Sequence, residues 1–272
     1  MNIVVNENPR QINNALTLFQ LRDALKPNAD IIICNGTPIS SDHPLQPGDH
    51  VTLIQYGEQP DCDELEALLI ARHTPEVHAA LKKATIGIAG AGGLGSSIAV
   101  ALTRAGIGKL IIADFDVVEP SNLNRQQYFI DQIGMAKVEA LRINLQRINP
   151  FTAIMAEKCY LDADNIPGLF ADVDVMVEAF DCPETKAMLI QLWLHKFPDT
   201  PLVAASGVAG YAASNTICTR QMMNKLYLCG DGVSAVESGI SLMAPRVGIA
   251  AHHQANTVIR LLLGIDPIEE KQ

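Results

Sequence analysis

The densest chemical signal in the chain is Gly90-Ala91-Gly92-Gly93-Leu94-Gly95, a GxGxxG run. It directly follows the apolar segment Thr85–Ala89 and directly precedes the apolar segment Leu94–Ala105. Glycines at Gly90, Gly92, Gly93 and Gly95 permit a tight turn and let backbone amides come close to phosphate. The helix start that follows favours negative charge. Asp114 stands roughly 20 residues on, after the next apolar segment, where a carboxylate accepts hydrogen bonds from ribose hydroxyls. The loop alone is a weak signal, since a bland glycine-rich turn has the same composition. In its strand–loop–helix–strand–acid context it reads as a nucleotide site.

The residues after Asp114 bear on which nucleotide. Asn122, Arg125, Gln126 and Lys137 follow within a short span. A dinucleotide needs only its pyrophosphate balanced, and loop amides largely do that. A triphosphate with a pyrophosphate leaving group calls for guanidinium and ammonium groups near its outer phosphates. Arg125 and Lys137 supply that charge, the alternative being solvated surface cations. Lys137 opens a predicted helix, where a cation opposes the helix dipole, so a nearby anion is expected. Asp181 follows another apolar strand at the edge where open α/β sheets hold ligands. Its carboxylate suits Mg²⁺ held against phosphates, and equally a cap for the helix that follows.

These groups need a frame. Residues 58–272 alternate between strand-like and helix-like segments, after a linker from Gly57 and helices at Asp63–Arg72 and Pro75–Lys83. Strands are expected at Thr85–Ala89, Lys109–Ala113, Ile154–Lys158, Asp174–Ala179 and Leu202–Ala205. Helices are expected at Leu94–Ala105, Ala136–Ile148, Glu184–Lys196 and Arg246–Leu263. Such alternation predicts an α/β, doubly wound, Rossmann-like and mainly parallel sheet. Gly207–Gly239 is less regular, with antiparallel strands expected at Thr216–Thr219 and Leu226–Leu228. Residues 1–57 read as a separate small β-grasp module: strand Met1–Val5, a helix from Leu16 to Leu25, strand Ile31–Cys34, a turn at Pro47-Gly48-Asp49, and strand Val51–Ile54.

Composition excludes several classes. The net charge is −10 with no basic run, which argues against nucleic acid and anionic membranes as partners. No apolar stretch approaches the ~20 residues of a membrane span, and MNIVVNENPR is not a signal peptide. The six cysteines form no CxxC pair, so no structural zinc site is expected and a reduced cytoplasmic protein is the reading.

Ile86–Phe129, IGIAGAGGLGSSIAVALTRAGIGKLIIADFDVVEPSNLNRQQYF, closely resembles the ThiF/MoeB family of ubiquitin-activating-enzyme-like adenylyltransferases. The GxGGLG loop, the DxDxVxxSNLNRQ stretch and the later lysine are all in place, and the resemblance covers roughly Leu65 to Gly264. It implies adenylation, with ATP and Mg²⁺, of the C-terminal glycine of a small sulfur-carrier protein ending in Gly-Gly. It makes Asp114 the ribose ligand, with Asp116 alongside, and Arg125 and Lys137 the phosphate pair, with Asn122 and Gln126 close by. Asp181 becomes the magnesium and catalytic aspartate. Arg72 resembles an arginine that family members extend into a partner's site, which implies a homodimer.

The first module resembles ThiS, the carrier itself, but VTLIQYG runs on through Glu58-Gln59-Pro60, and the sequence ends IDPIEEKQ. Neither place carries a terminal Gly-Gly, so the module is expected to aid docking, stability or oligomerisation rather than serve as substrate. Cys218 and Cys229 lie where some members do sulfur chemistry, and strand packing is the favoured reading for both. Arg246 lines a carrier-tail groove, caps its helix or sits at the core edge. Thiamin synthesis is the expected pathway. The rivals are a molybdopterin-type carrier, a non-carrier carboxylate, a NAD-dependent oxidoreductase and a non-catalytic carrier-docking protein.

Overall fold

The computed structural model describes residues 1–268. The chain divides into two compact units, Met1–His78 and Ala79 onwards. Among the described residues the first unit holds β1 (Asn2–Val5), β2 (Asn8–Gln11), α1 (Leu18–Leu25), β3 (Ile31–Cys34), β4 (Thr37–Pro38), β5 (His50–Ile54) and α2 (Cys62–His73). Its sheet has the order β2-β1-β5-β3-β4, with β1 and β5 parallel and the other pairs antiparallel. That arrangement under one helix is the expected β-grasp.

Alternation along the strands buries Ile3, Val5, Ile32, Cys34, Val51 and Leu53 against Leu18 and Leu21 of α1. Thr17 and Gln20 close a reciprocal capping box that fixes where α1 begins. The unit reaches past Gly57. The Asn6 amide donates to Glu64 Oε1 at 2.6 Å, and Lys26 pairs with Glu58 at 2.7 Å, so α2 is tied to the module. Strands β2 and β4 were not expected. β2 is a polar edge strand containing a proline, and only its pairing with β1 defines it.

The chain leaves the first unit within α3 (Pro75–Lys83) and enters β6 (Thr85–Ala89), α4 (Gly93–Ala105) and β7 (Lys109–Ala113). Next come α5 (Lys137–Gln146), β8 (Ala153–Glu157), α6 (Ile166–Leu169), β9 (Val175–Glu178), α7 (Pro183–Lys196), β10 (Leu202–Ala205), β11 (Cys218–Met223), β12 (Leu226–Gly230) and α8 (Ala244–Leu262). The sheet order is β11-β12-β10-β9-β6-β7-β8, and every pair is parallel except β11 with β12.

The strand expected at Leu226–Leu228 is β12, which pairs antiparallel with β11 as expected and also runs parallel to β10, because the connection from β10 crosses over before the hairpin. The edge strand itself starts at Cys218, later than the expected Thr216. Residues Ser214–Thr216 instead form a single 3₁₀ turn.

The strands β6, β9 and β10 are buried throughout or nearly so, as parallel strands covered on both faces must be. Trp193 of α7 is fully buried beside Phe170, Met176 and Leu202. Its indole N–H donates to Thr200 O at 3.1 Å, so the ring adds bulk without a polar penalty. No described helix is long and apolar enough to cross a membrane. Truncating the indole should leave a cavity in this cluster. Trp193→Ala is therefore expected to cost about 3–5 kcal/mol, read as a lower urea midpoint; an unchanged midpoint would contradict the packing assignment.

Candidate functional site

The parallel pairing of β6 with β7 and β9 sets three strand ends side by side: Ala89 opposite Ala113 and Glu178. The glycine loop leaves from the central one. Gly90 has φ of +100°, and a Cβ there would sit 2.7 Å from Ala179 O; a Cβ at Gly95 would sit 1.9 Å from Gly90 O. The tight turn and the close helix packing each demand glycine for a steric reason.

Asp114 holds this loop. Its Oδ2 accepts from Ala91 N at 2.7 Å and its Oδ1 accepts from Asp116 N at 2.8 Å. The half-exposed carboxylate keeps lone pairs for further donors. Tyr128 grips the same residue from the other side, donating from its buried hydroxyl to Ala91 O at 2.6 Å. Burial pushes the Tyr128 phenol far above its ordinary range, so it remains a donor. Ala91 is thus clamped at both its N–H and its C=O. Sequence reasoning missed Tyr128, because its partner lies 37 positions away.

The cations gather here. Lys137 is buried, and its Nζ donates to Asp116 Oδ2 at 2.6 Å. The anion expected near a lysine at a helix start is Asp116. Half-exposed Arg125 donates from Nη1 to Ser121 O at 3.2 Å and to Asn124 Oδ1 at 2.9 Å, and its Cγ lies 3.5 Å from where a Gly93 Cβ would be. Asn122 is buried and structural, accepting from Glu119 N at 3.0 Å. Gln126 is buried beside Gly92, and its Oε1 has no hydrogen-bond partner among the described residues. An orphaned buried acceptor beside a phosphate-type loop fits a site that a ligand donor completes.

Asp181 lies two residues past Ala179, whose carbonyl abuts Gly90, so it belongs to the same sheet edge. The helix-cap alternative does not hold: the N-cap of α7 is Cys182, without a side-chain cap bond. Beneath this turn sits a pair that sequence reasoning passed over. Fully buried Glu178 accepts from Lys186 Nζ at 2.5 Å, from Phe180 N at 2.7 Å and from Ala205 N at 3.4 Å. Burial pushes the Glu178 carboxyl up, and Lys186 pulls it back only in part. The one available signal was an acid closing the apolar strand VMVE. Arg72 belongs to the first unit, is exposed, and has Nη2 3.9 Å from Glu7 Oε1.

Of its expected roles Arg246 takes the one at the core edge and does not cap α8, whose N-cap is Met243. It is buried, donating to Ala212 O, Ala213 O and Thr216 Oγ1 and pairing with Asp231 Oδ2 at 2.6 Å, so it staples the irregular segment to α8. Cys229 is buried and burial raises its thiol, which suits packing rather than nucleophilic work. Cys218 is half-exposed on β11, its Sγ 3.7 Å from Gly230 O. Among the described residues no cluster of His, Cys, Asp and Glu is fit to hold a metal by itself.

The model of the ThiF family matches residues 66–272, and that of a ThiS-like ubiquitin matches residues 1–57. The chain is 35% identical over 193 residues to the molybdopterin-synthase adenylyltransferase of Escherichia coli K12, spanning 68% of this chain and 75% of that protein. It is 30% identical over 192 residues to the adenylyltransferase and sulfurtransferase UBA4 of Candida glabrata, of which it spans 44%. Among solved structures it resembles E. coli tRNA N6-threonylcarbamoyladenosine dehydratase, TcdA, in complex with AMP. The TM-score is 0.66 at 20% identity, over 72% of this chain and 93% of that one, a likeness of fold.

The Asp231–Arg246 pair carries a pH signature. Burial alone would raise the Asp231 carboxyl, but hydrogen bonds from Ser234 N, Val233 N, the Ser234 hydroxyl and Arg246 outweigh it and hold it well below its ordinary value. A folded pKa below the unfolded one stabilises fully above the unfolded value near about pH 4, and that stability is lost as pH falls towards the folded pKa. Asp231→Asn should therefore cost about 3–5 kcal/mol at pH 7 by leaving Arg246 buried and unpaired. The gap to wild type should narrow below about pH 4. A pH-independent gap in denaturant titrations would contradict this.

Proposed function

The chain belongs to the ThiF family, and we propose that it uses Mg-ATP to adenylate the C-terminal glycine of a separate ThiS-like sulfur carrier ending in Gly-Gly, on the route to thiamin. It is an adenylyltransferase of the ThiF/MoeB type that activates a ubiquitin-like carrier. The observation that carries the reading is the linked set Ala91–Asp114–Asp116–Lys137, which ties a buried ammonium to the glycine loop through three successive hydrogen bonds. A dinucleotide pyrophosphate has no use for that charge.

In the proposed reaction an oxygen of the glycine carboxylate attacks the α-phosphorus of ATP in line. The new bond is carboxylate O–P, and the bond to the pyrophosphate oxygen breaks. A carboxylate is already ionised at neutral pH and needs no general base, so catalysis reduces to positioning and charge neutralisation. Loop amides at Gly92, Gly93 and Gly95 face the phosphates, Gly90 makes the turn while its own N–H donates to Ala113 O at 2.9 Å, and Asp114 takes the ribose. Arg125 and Lys137 neutralise the outer phosphates, with Gln126 and Asn122 supporting the turn that bears Arg125. For Lys137 this means exchanging Asp116 for a phosphate oxygen. Mg²⁺, when bound, screens phosphate charge, and Asp181 is the carboxylate that fits it. Arg72 in this reading serves the site of a second copy in a cytoplasmic homodimer.

The proposed division is a carrier-like module, residues 1–57, and an adenylating domain, residues 58–272. Gly57 is internal and continues through a Gln55–Glu58 turn into α2, so the module offers no glycine carboxylate. Arg125→Ala and Lys137→Ala should each lower carrier-dependent ATP–pyrophosphate exchange at least about tenfold, a loss of roughly 1.4 kcal/mol in transition-state stabilisation or more. Their melting temperatures should stay near wild type, and near-wild-type exchange in both would overturn the assignment. Incubation with ATP and thiamin-type, molybdopterin-type or no carrier, read by mass spectrometry of the carrier terminus, tests the acceptor. Adenylate on the molybdopterin-type carrier alone would replace the thiamin reading.

A further inference from the structure

We propose that Tyr128 is a positioning residue for the nucleotide's phosphates: its hydroxyl locks the Ala91–Gly92 peptide so that the Gly92 N–H faces them. The proposal rests on the ATP-dependent reading above. A trans peptide holds its C=O and its N–H on opposite sides of one plane. Tyr128 is buried, and its hydroxyl donates to Ala91 O at 2.6 Å. With that carbonyl drawn towards the buried ring, the Gly92 N–H of the same peptide points the other way. It points out of the core, where Gly92 and Gly93 are half-exposed, and no group among the described residues accepts from it.

The peptides on either side are held by other groups. Asp114 takes Ala91 N at 2.7 Å, and Gly90 O abuts Gly95, which together fix the Gly90–Ala91 peptide. Ser96 N and Ser96 Oγ donate to Gly92 O at 3.0 and 2.6 Å, which fixes Gly92–Gly93. Among the described residues Ala91–Gly92 has Tyr128 alone. It is also a peptide that can turn over. A flip would carry Gly92 from its φ of −76° into the positive range, which glycine enters without steric cost. The flipped peptide would present a carbonyl oxygen to the phosphates, turning an attraction into a repulsion. Tyr128 is well placed to prevent this. Gln127 N donates to Ser96 Oγ at 3.2 Å and Gln127 O accepts from Asn144 Nδ2 at 2.9 Å, so the backbone just before the ring is tied to α4 and α5. Burial keeps the phenol protonated, and a carbonyl can only accept, so the hydroxyl acts as donor throughout.

The test is equilibrium titration of the full chain with ATP, inorganic tripolyphosphate and adenosine, for wild type and Tyr128→Phe, which keeps the ring and removes the hydroxyl. Losing one oriented donor should weaken ATP and tripolyphosphate alike, by about tenfold, and leave adenosine unchanged. A merely structural tyrosine would lower the urea midpoint while the folded variant still bound tripolyphosphate as wild type does. That result would overturn the proposal, and so would an equal loss for adenosine. Should the variant misfold, wild type alone gives a second reading. Labelling with ¹⁵N-glycine and carbonyl-¹³C-alanine singles out the Ala–Gly peptides at 89–90, 91–92, 105–106 and 209–210. The 91–92 amide signal must move when tripolyphosphate is added, or the proposal falls. Wild type that binds adenosine but neither phosphate ligand would instead overturn the ATP reading itself.

Discussion

One carboxylate organises the site. Asp114 takes the Ala91 amide on one oxygen and the Asp116 amide on the other, so a single side chain fixes both the phosphate-type loop and the turn leading to the cations. Charge-assisted hydrogen bonds of this kind are short and strong, and two from backbone amides leave the carboxylate little freedom to turn. Tyr128 closes the opposite side of Ala91, and Asp116 passes the constraint on to Lys137. The glycine loop and the Asp114 carboxylate are consequently placed before any ligand arrives, as electrostatic preorganisation requires, while Lys137 is held in reserve on Asp116.

The parts legible in the sequence were those written in local pattern. Apolar runs bounded by turns located β6, β7 and β10 to the residue, because buried parallel strands need continuous apolar stretches, and the apolar run before Asn35-Gly36 located the antiparallel β3 equally well. GxGxxG followed by an acid located the loop and Asp114 because steric demand and charge there leave few residue choices. Lys137 announced a nearby anion through its poor fit to the helix dipole, and Asp116 met that demand. What stayed illegible was long-range. Tyr128 holds a residue 37 positions away, and β2 and β4 exist only through their pairing partners. Cys182 rather than Asp181 caps α7, a distinction of backbone angle that residue type does not encode.

Two buried ion pairs mark where the fold accepts electrostatic cost near the site. Glu178 with Lys186 ties the ends of β9 and β10 to the first turns of α7, and Gln254 of α8 adds a bond to the Glu178 carbonyl at 3.0 Å. Arg246 with Asp231 fixes the irregular crossover to the start of α8. Buried pairs of this kind seldom add stability over apolar packing of equal volume. They do fix geometry, since each charge tolerates only one arrangement of its neighbours. Both pairs lie where regular secondary structure gives out and loops must still hold a shape.

The fused module has a kinetic side. A carrier joined by a short tether and ending in a free glycine would present its carboxylate at an effective concentration in the millimolar range. Any dilute carrier in solution would compete poorly against such a built-in acceptor, and the enzyme would spend ATP on itself. Because the chain continues from Gly57 into α2, this module carries no free carboxylate there, and under the proposed function it does not act as such a built-in competitor.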